Sequence, residues 1–328
     1  MKNRMVMARA PLRISFVGGG TDIPFYYKKS GYGAVVSAAI NKFIYVAVNK
    51  KFDNKIRVSY SRTEIVDNLD EISHPSVRES LRLLELNKSI EIVSISDVPS
   101  QGTGLGSSST FLVALLHALH SYKGEFVDAE QLAQEAVHIE RNVLREAGGK
   151  QDQYMAAYGN IDLMKFHSDE RVDILPISIN EENMKRIEES LLLLYLERER
   201  SSSHIIEDQG VSADSQRAVY DEFTKMAEDS CKYMVDGDVP ELGSLVMKYW
   251  NLKRELSSRI SDGRIDDAIL KASEMGAFGG QVIGAGGGGF LMFIADPQIH
   301  QRIANSLGLK KLDFRFQFGG SRLIFVGD

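Results

Sequence analysis

The sequence predicts an α+β protein of two domains, and three observations carry that expectation. Its first 60 residues hold strand-like runs, the stretch from about Ser212 to Gly276 is mostly helical in pattern, and the chain closes in the order of a split β-α-β unit packed against helices. A length of 328 residues suits two domains of roughly 100–200 residues each. We place them at 1–185 and 186–328, divided within the polar, charged stretch Asn180–Glu189.

Taken in order, Ala8–Val17 reads as a strand running into Gly18-Gly19-Gly20-Thr21-Asp22, and Phe43–Val48 with Ile56–Tyr60 reads as a hairpin. Ser76–Leu86 has a helical pattern, and Ile90–Ile95 alternates as a strand does. Asp128–Arg145 is an amphipathic helix with Leu132, Ala136, Ile139 and Val143 as its apolar stripe. Ile161–Phe166 and Val172–Ile179 are strands, and Leu191–Tyr195 is a buried strand. In the second half, Leu242, Leu245, Val246, Tyr249, Trp250 and Leu252 form a helix face suited to a core. The strand Phe290–Ile294, a helix at Pro297–Leu307 and strands at Asp313–Phe318 and Leu323–Val326 complete the chain.

Composition narrows the function. A net charge of -6 gives no bulk attraction to nucleic acid or acidic membranes. A single cysteine, Cys231, excludes an internal disulfide framework and suits a reducing compartment. No apolar run approaches the roughly 18–20 residues of a membrane span, and Met1–Met7 lacks an apolar signal core. The seven histidines show no metal-ligand spacing. The expectation is a cytoplasmic globular protein with neither nucleic-acid nor membrane partner.

The chemistry concentrates at Pro99–Ser109, P-S-Q-G-T-G-L-G-S-S-S, between the Ile90–Ile95 strand and the apolar run Phe111–Leu116. A helix start leaves backbone N–H groups unpaired at the positive end of the macrodipole, which makes it an anion site. Gly102, Gly104 and Gly106 let the backbone approach a polyphosphate, while Ser107, Ser108 and Ser109 offer caps and metal-ligating hydroxyls. This is no P-loop, because Ser107 rather than Lys follows Gly106. A literal G-x-G-x-x-G occurs at Gly284–Gly289, but the strand-like Phe290–Ile294 follows where a dinucleotide fingerprint must open a helix. Glu140 falls within the apolar stripe of its helix; an inward carboxylate needs a partner, usually a metal or a cation, the alternative being an edge glutamate whose tip escapes to water. Asp152 in Gly148–Gln153, taken alone, is a cap for the turn after it.

Three segments, Ala10–Asp22, Pro99–Ser109 and Gly284–Phe290, resemble the three signatures of the GHMP kinases (galacto-, homoserine, mevalonate and phosphomevalonate kinases), over nearly the whole chain. In detail Ala10–Asp22, Gly148–Tyr154 and Gly284–Phe290 are similar to the bacterial kinases of D-glycero-D-manno-heptose 7-phosphate. The resemblance implies an N-terminal domain like ribosomal protein S5 domain 2, a ferredoxin-like C-terminal domain and an active site between them. It also implies ATP-dependent phosphorylation of a sugar or sugar phosphate at its anomeric hydroxyl, giving heptose 1,7-bisphosphate for nucleotide-sugar synthesis. By position, Gly102, Gly104, Leu105, Gly106, Ser107, Ser108 and Ser109 would wrap ATP, and Ser108 with Glu140 would hold Mg²⁺. Asp152 would be the catalytic acid-base, with Arg13 near the transferring phosphoryl group. Gly20, Thr21 and Asp22 would meet the sugar, Gly286, Gly287 and Gly288 would close over it, and Arg198 and Arg200 would grip a 7-phosphate. The chain has Leu196-Glu197 where comparable kinases tend to have Thr-Gly, and Gln281 where Lys is common. The alternatives are a fucose-type sugar kinase, a catalytically silent sugar sensor on the same fold and, from Gly284–Gly289 alone, a nicotinamide enzyme.

Overall fold

One strand organises the first half of the molecule. In the computed structural model, which describes residues 5–99, 102–197, 205, 206, 208 and 215–327, β2 (Tyr32–Lys50) spans 19 residues. Along one edge it pairs β1 (Val6–Val17). Along the other, Tyr32–Ala38 pair β6 (Ile161–His167) and Ile44–Lys50 pair β5 (Ile90–Ser96). The helices Ser107–Lys123 and Arg217–Asp236 both pack on β2, so Gly33–Ile40 are buried without a break rather than alternating.

The expected hairpin does not form. β5 lies between β2 and β3 (Ile56–Ser59), and β3 pairs β5 in parallel and β4 (Thr63–Val66) in antiparallel fashion. A seven-position ladder between β2 and β5, with Ile90 and Ile92 buried, offers more pairing than four residues of β3. β7 (Val172–Pro176) extends the sheet beyond β6.

The second sheet has the order β11-β8-β10-β9, entirely antiparallel, built from β8 (Leu191–Tyr195), β9 (Gly279–Val282), β10 (Phe290–Ile294) and β11 (Lys310–Leu312). Helices lie between β8 and β9 and between β10 and β11, which is the ferredoxin-like βαββαβ arrangement. The end of the chain departs from expectation. Asp313–Phe318 is not a strand; β11 lies just before it, and Phe316 bridges to Ile40 of the first sheet. β12 (Arg322–Val326) then pairs Val6–Arg9 of β1, covering an edge that would otherwise present unpaired backbone groups.

Local chemistry explains two further differences. The polar run after Asn180 is a helix, Glu181–Ser190, because the Asn180 side chain accepts the Asn183 N–H at 2.8 Å. The helix predicted over Asp128–Arg145 is an α-helix at Ala129–Val137, capped by Asp128, followed by a π-helical turn at His138–Val143. Leu132, Ala136, Ile139 and Glu140 face inside, and the wider turn swings Val143 out to 43% exposure. Among the described residues no helix is long and apolar enough to cross a membrane.

Candidate active site

Helix Ser107–Lys123 starts from Gly106, whose φ of 79° and ψ of 23° are left-handed and whose position carries no capping side chain. Its first N–H groups therefore open toward a cavity of about 570 Å³. Gly102, Gly104 and Gly106 have φ of 67°, 75° and 79° and alternate with other residues, a pattern that turns successive N–H groups to one side. The glycines also serve packing. A Cβ on Gly104 would stand 2.3 Å from the Ile283 carbonyl oxygen, and one on Gly106 would stand 3.2 Å from the Asp152 carboxylate. The loop is thus clamped between the third glycine motif and Asp152.

Each serine of the triplet has a different partner. Ser107 lies 3.1 Å from the Thr103 hydroxyl. Ser109 donates to the buried Glu140, 2.9 and 3.1 Å from its two oxygens. Ser108 is exposed to the cavity, with no hydrogen bond among the described residues. Glu140 is 3% exposed, lines the same cavity and also accepts the Gln153 amide N–H. Burial pushes its pKa up to about 7. Among the described residues Gln153 Oε1 is buried without a partner. These are oxygen donors of the kind Mg²⁺ prefers, and among the described residues no three His, Cys, Asp or Glu form a metal cage.

Asp152 is not a cap. It sits in the first turn of helix Gln151–Tyr158 and is held by Arg13, whose Nε and Nη2 donate to Oδ1 at 2.8 and 2.7 Å. Arg13 is 4% exposed and also donates to the Gly104 carbonyl, tying β1, the glycine loop and Asp152 together. The cap comes from far away in sequence. Asp22 Oδ2 accepts the Gln151 N–H and Oδ1 accepts the Gly20 N–H, both at 3.1 Å. Asp22 is 2% exposed, and burial raises its pKa above the usual carboxylate range. A Cβ on Gly149 would stand 1.6 Å from Asp22, so that close approach requires glycine.

Of the remaining expected residues, Gly20, Gly286 and Gly288 line the cavity; Thr21, Leu105 and Gly287 do not. The buried Thr21 hydroxyl lies between the Gly18 and Ala34 carbonyls at 2.7 and 2.9 Å. Leu105 is fully buried in the core, and the Gly287 N–H donates to the Ile260 carbonyl at 2.7 Å. Arg198 and Arg200 lie outside the described residues. Gln281, where Lys is common, donates from Nε2 to the Ser15 and Phe16 carbonyls and ties β9 to β1.

Two cations that line the cavity, Arg141 and Lys253, escaped sequence reading, as did Gln153, which donates to Glu140. Arg141 donates to the Glu146 and Gly149 carbonyls and pins the loop behind Asp22. Lys253 comes from the last turn of helix Val239–Lys253, where a basic residue is ordinary by pattern. No local signal marks either cation, because tertiary packing alone turns it inward.

A glycine-built anion cradle at a helix start, with an arginine-held carboxylate beneath it, defines a nucleotide-dependent phosphotransferase. The GHMP kinases N terminal domain matches residues 75–160 and the GHMP kinases C terminal domain matches residues 226–311, together just over half of the chain. The chain belongs to the GHMP kinases and is an ATP-dependent sugar kinase. It is 29% identical, over 90% of both chains, to a D-glycero-alpha-D-manno-heptose 7-phosphate kinase of Campylobacter jejuni. An L-fucokinase/L-fucose-1-P guanylyltransferase of Bacteroides fragilis is 27% identical over 93% of this chain and 36% of its own length. In fold, the chain matches a D-glycero-D-manno-heptose 1-phosphate kinase from Bacteroides thetaiotaomicron at a TM-score of 0.82, with 23% identity over 98% of this chain and 100% of the other.

Proposed function

We propose that this kinase transfers the terminal phosphoryl group of ATP to the anomeric hydroxyl of D-glycero-D-manno-heptose 7-phosphate, yielding the 1,7-bisphosphate. The observation that carries the chemistry is the Arg13–Asp152 pair at the foot of the glycine-loop helix, in one cavity with Asp22. The substrate rests on full-length similarity to the Campylobacter jejuni heptose 7-phosphate kinase.

Asp22, fixed by two backbone N–H groups, has free lone pairs to accept sugar hydroxyls. Asp152, locked by two guanidinium N–H groups, accepts the proton of the attacking hydroxyl as its oxygen bonds to the terminal phosphorus. The bond from that phosphorus to the bridging oxygen breaks, and ADP leaves. An anomeric hydroxyl is more acidic than an ordinary alcohol, which eases the proton transfer. The N–H groups of the 102–109 loop and helix start receive the phosphates, and Gly286 and Gly288 close the cavity from the second sheet. Ser108 and Glu140 would hold Mg²⁺, which neutralises charge on the phosphates.

A screen of ADP release with heptose 7-phosphate, unphosphorylated heptose and L-fucose, with NMR location of the new phosphate, tests the reading. Heptose 7-phosphate should have the highest kcat/KM, with the product phosphorylated at C1. Preference for L-fucose would favour the second reading, for which similarity to the Bacteroides fragilis fucokinase speaks. If the substrate carries a 7-phosphate, replacing both Arg198 and Arg200 by Ala should lower kcat/KM more for it than for the unphosphorylated sugar.

A further inference from the structure

Three described cations line the cavity, and their partners differ. Arg13 is paired with Asp152, and Arg141 donates to two backbone carbonyls. Lys253 is 5% exposed and has one hydrogen bond, from Nζ to the Gly284 carbonyl at 2.6 Å. Among the described residues no carboxylate lies within ion-pair distance of it. Its other neighbours are the Tyr249 ring, 5.4 Å away, and the positive field of Arg13. Burial, with Arg13 adding to it, brings the Lys253 pKa down to about 7. A buried ammonium next to a second cation serves stability poorly; an apolar side chain of that length would serve better. The arrangement becomes favourable when an anion arrives.

The contacts say where that anion sits. The carbonyl that Lys253 holds belongs to Gly284, and a Cβ on Gly284 would stand 2.9 Å from Gly104. The Gly104 carbonyl is held by Arg13, and Arg13 holds Asp152. Lys253 therefore approaches the cradle at the end nearest Asp152, where a phosphoryl group must lie if the sugar oxygen that attacks it loses its proton to Asp152.

We propose that Lys253 binds the phosphoryl group in transfer, together with Arg13, so that helix Val239–Lys253 completes a phosphate site begun by the first sheet and its glycine loop. The proposal rests on the assignment of Asp152 to the reacting end of the cavity. It makes the second half of the chain a direct contributor of charge to the reaction.

The test is calorimetric titration of wild-type protein, Lys253→Met and Lys253→Arg with ADP and with a non-hydrolysable ATP analogue, in the presence of Mg²⁺. Lys253→Met should weaken the analogue by roughly ten- to a hundredfold, the worth of one charged hydrogen bond, and weaken ADP far less. Lys253→Arg should recover part of the difference. Equal losses for both nucleotides, or none, would overturn the proposal. If Lys253→Met does not fold, the wild-type ratio of analogue to ADP affinity is measured from pH 6.5 to 8.5. The Tyr249 phenol on the same helix is pushed up by burial, and the Gly284–Gly289 loop carries no titratable group. Glu140, in the same cavity and pushed up to about 7, loses its proton in this range, so the ratio is also measured in Glu140→Gln. Lys253 has to take up a proton to bind the anion, so the ratio should fall as pH rises above about 7; a flat or rising ratio would overturn the proposal. Asp152→Asn is assayed in parallel. If that variant keeps wild-type turnover, the site assignment has failed rather than the role of Lys253.

Discussion

The two glycine-rich loops are similar in composition and enter different elements. Gly102–Gly106 leads into a 17-residue helix and opens its N–H groups, the Ser108 hydroxyl and the Arg13–Asp152 pair toward the cavity. Gly284–Gly289 leads into β10 and turns its backbone against the first loop; a Cβ on Gly289 would stand 2.3 Å from the Thr103 carbonyl oxygen, and the Phe290 N–H donates to that carbonyl. Both loops use glycine for the close contact between them, but only the first opens a helix start, the arrangement that suits an anion. The element that a glycine run enters, helix or strand, decides the difference.

The comparison can be broken most severely at Asp152, which belongs to the first loop's side. Asp152→Asn should lower kcat about 10²–10⁴-fold, the usual loss of a positioned acid or base, with ATP affinity and thermal midpoint near wild type. Activity within a few-fold of wild type would remove Asp152 from the chemistry.

At the contact between the loops, Gly104→Val and Gly284→Val should each raise the KM for ATP and lower the thermal midpoint. The double variant should fall short of the sum, because both side chains would force apart one interface. Additive losses would mean that the loops do not act as a unit.

Glu140→Gln sharpens the first loop's role. It should raise the Mg²⁺ concentration at half-maximal rate several-fold, since an amide is a poorer ligand for a hard cation. Unchanged Mg²⁺ dependence with a lowered thermal midpoint would make Glu140 a structural partner of Ser109 and Gln153 only.

The smallest effect is expected at Gly31, a helix C-cap with φ of 88° and open space around it. Gly31→Ala should cost about 1–2 kcal/mol in denaturant unfolding from backbone strain, with kinetic constants unchanged. A changed KM for ATP there would show that left-handed glycines act on the site without touching it.

Much of the molecule was legible in the chain. The helix start after Gly106 follows from the glycine–serine loop and the apolar run behind it, and β8 and β10 follow from their unbroken apolar runs. Inward-facing Glu140 broke the pattern of its own helix, and that break was visible. The hairpin was misread because a strand's pattern reports its buried face and not its neighbour; β5 takes the place beside β2 from more than thirty residues beyond β3. Val143 was misread because the 3.6-residue period fails through a π turn.

The sequence by itself determined the α+β class, the glycine cradle and the residue types that phosphoryl transfer needs, because those rest on local periodicity and on backbone freedom at particular glycines. Tertiary structure decided which carboxylate meets which cation. Asp22 caps a helix 129 positions away, Arg13 holds Asp152 across 139, and Lys253 reaches a carbonyl at Gly284 beside that pair. Charges do not announce their partners along a chain. The partner is fixed only when burial removes water and leaves each ion to the groups the fold has brought within reach.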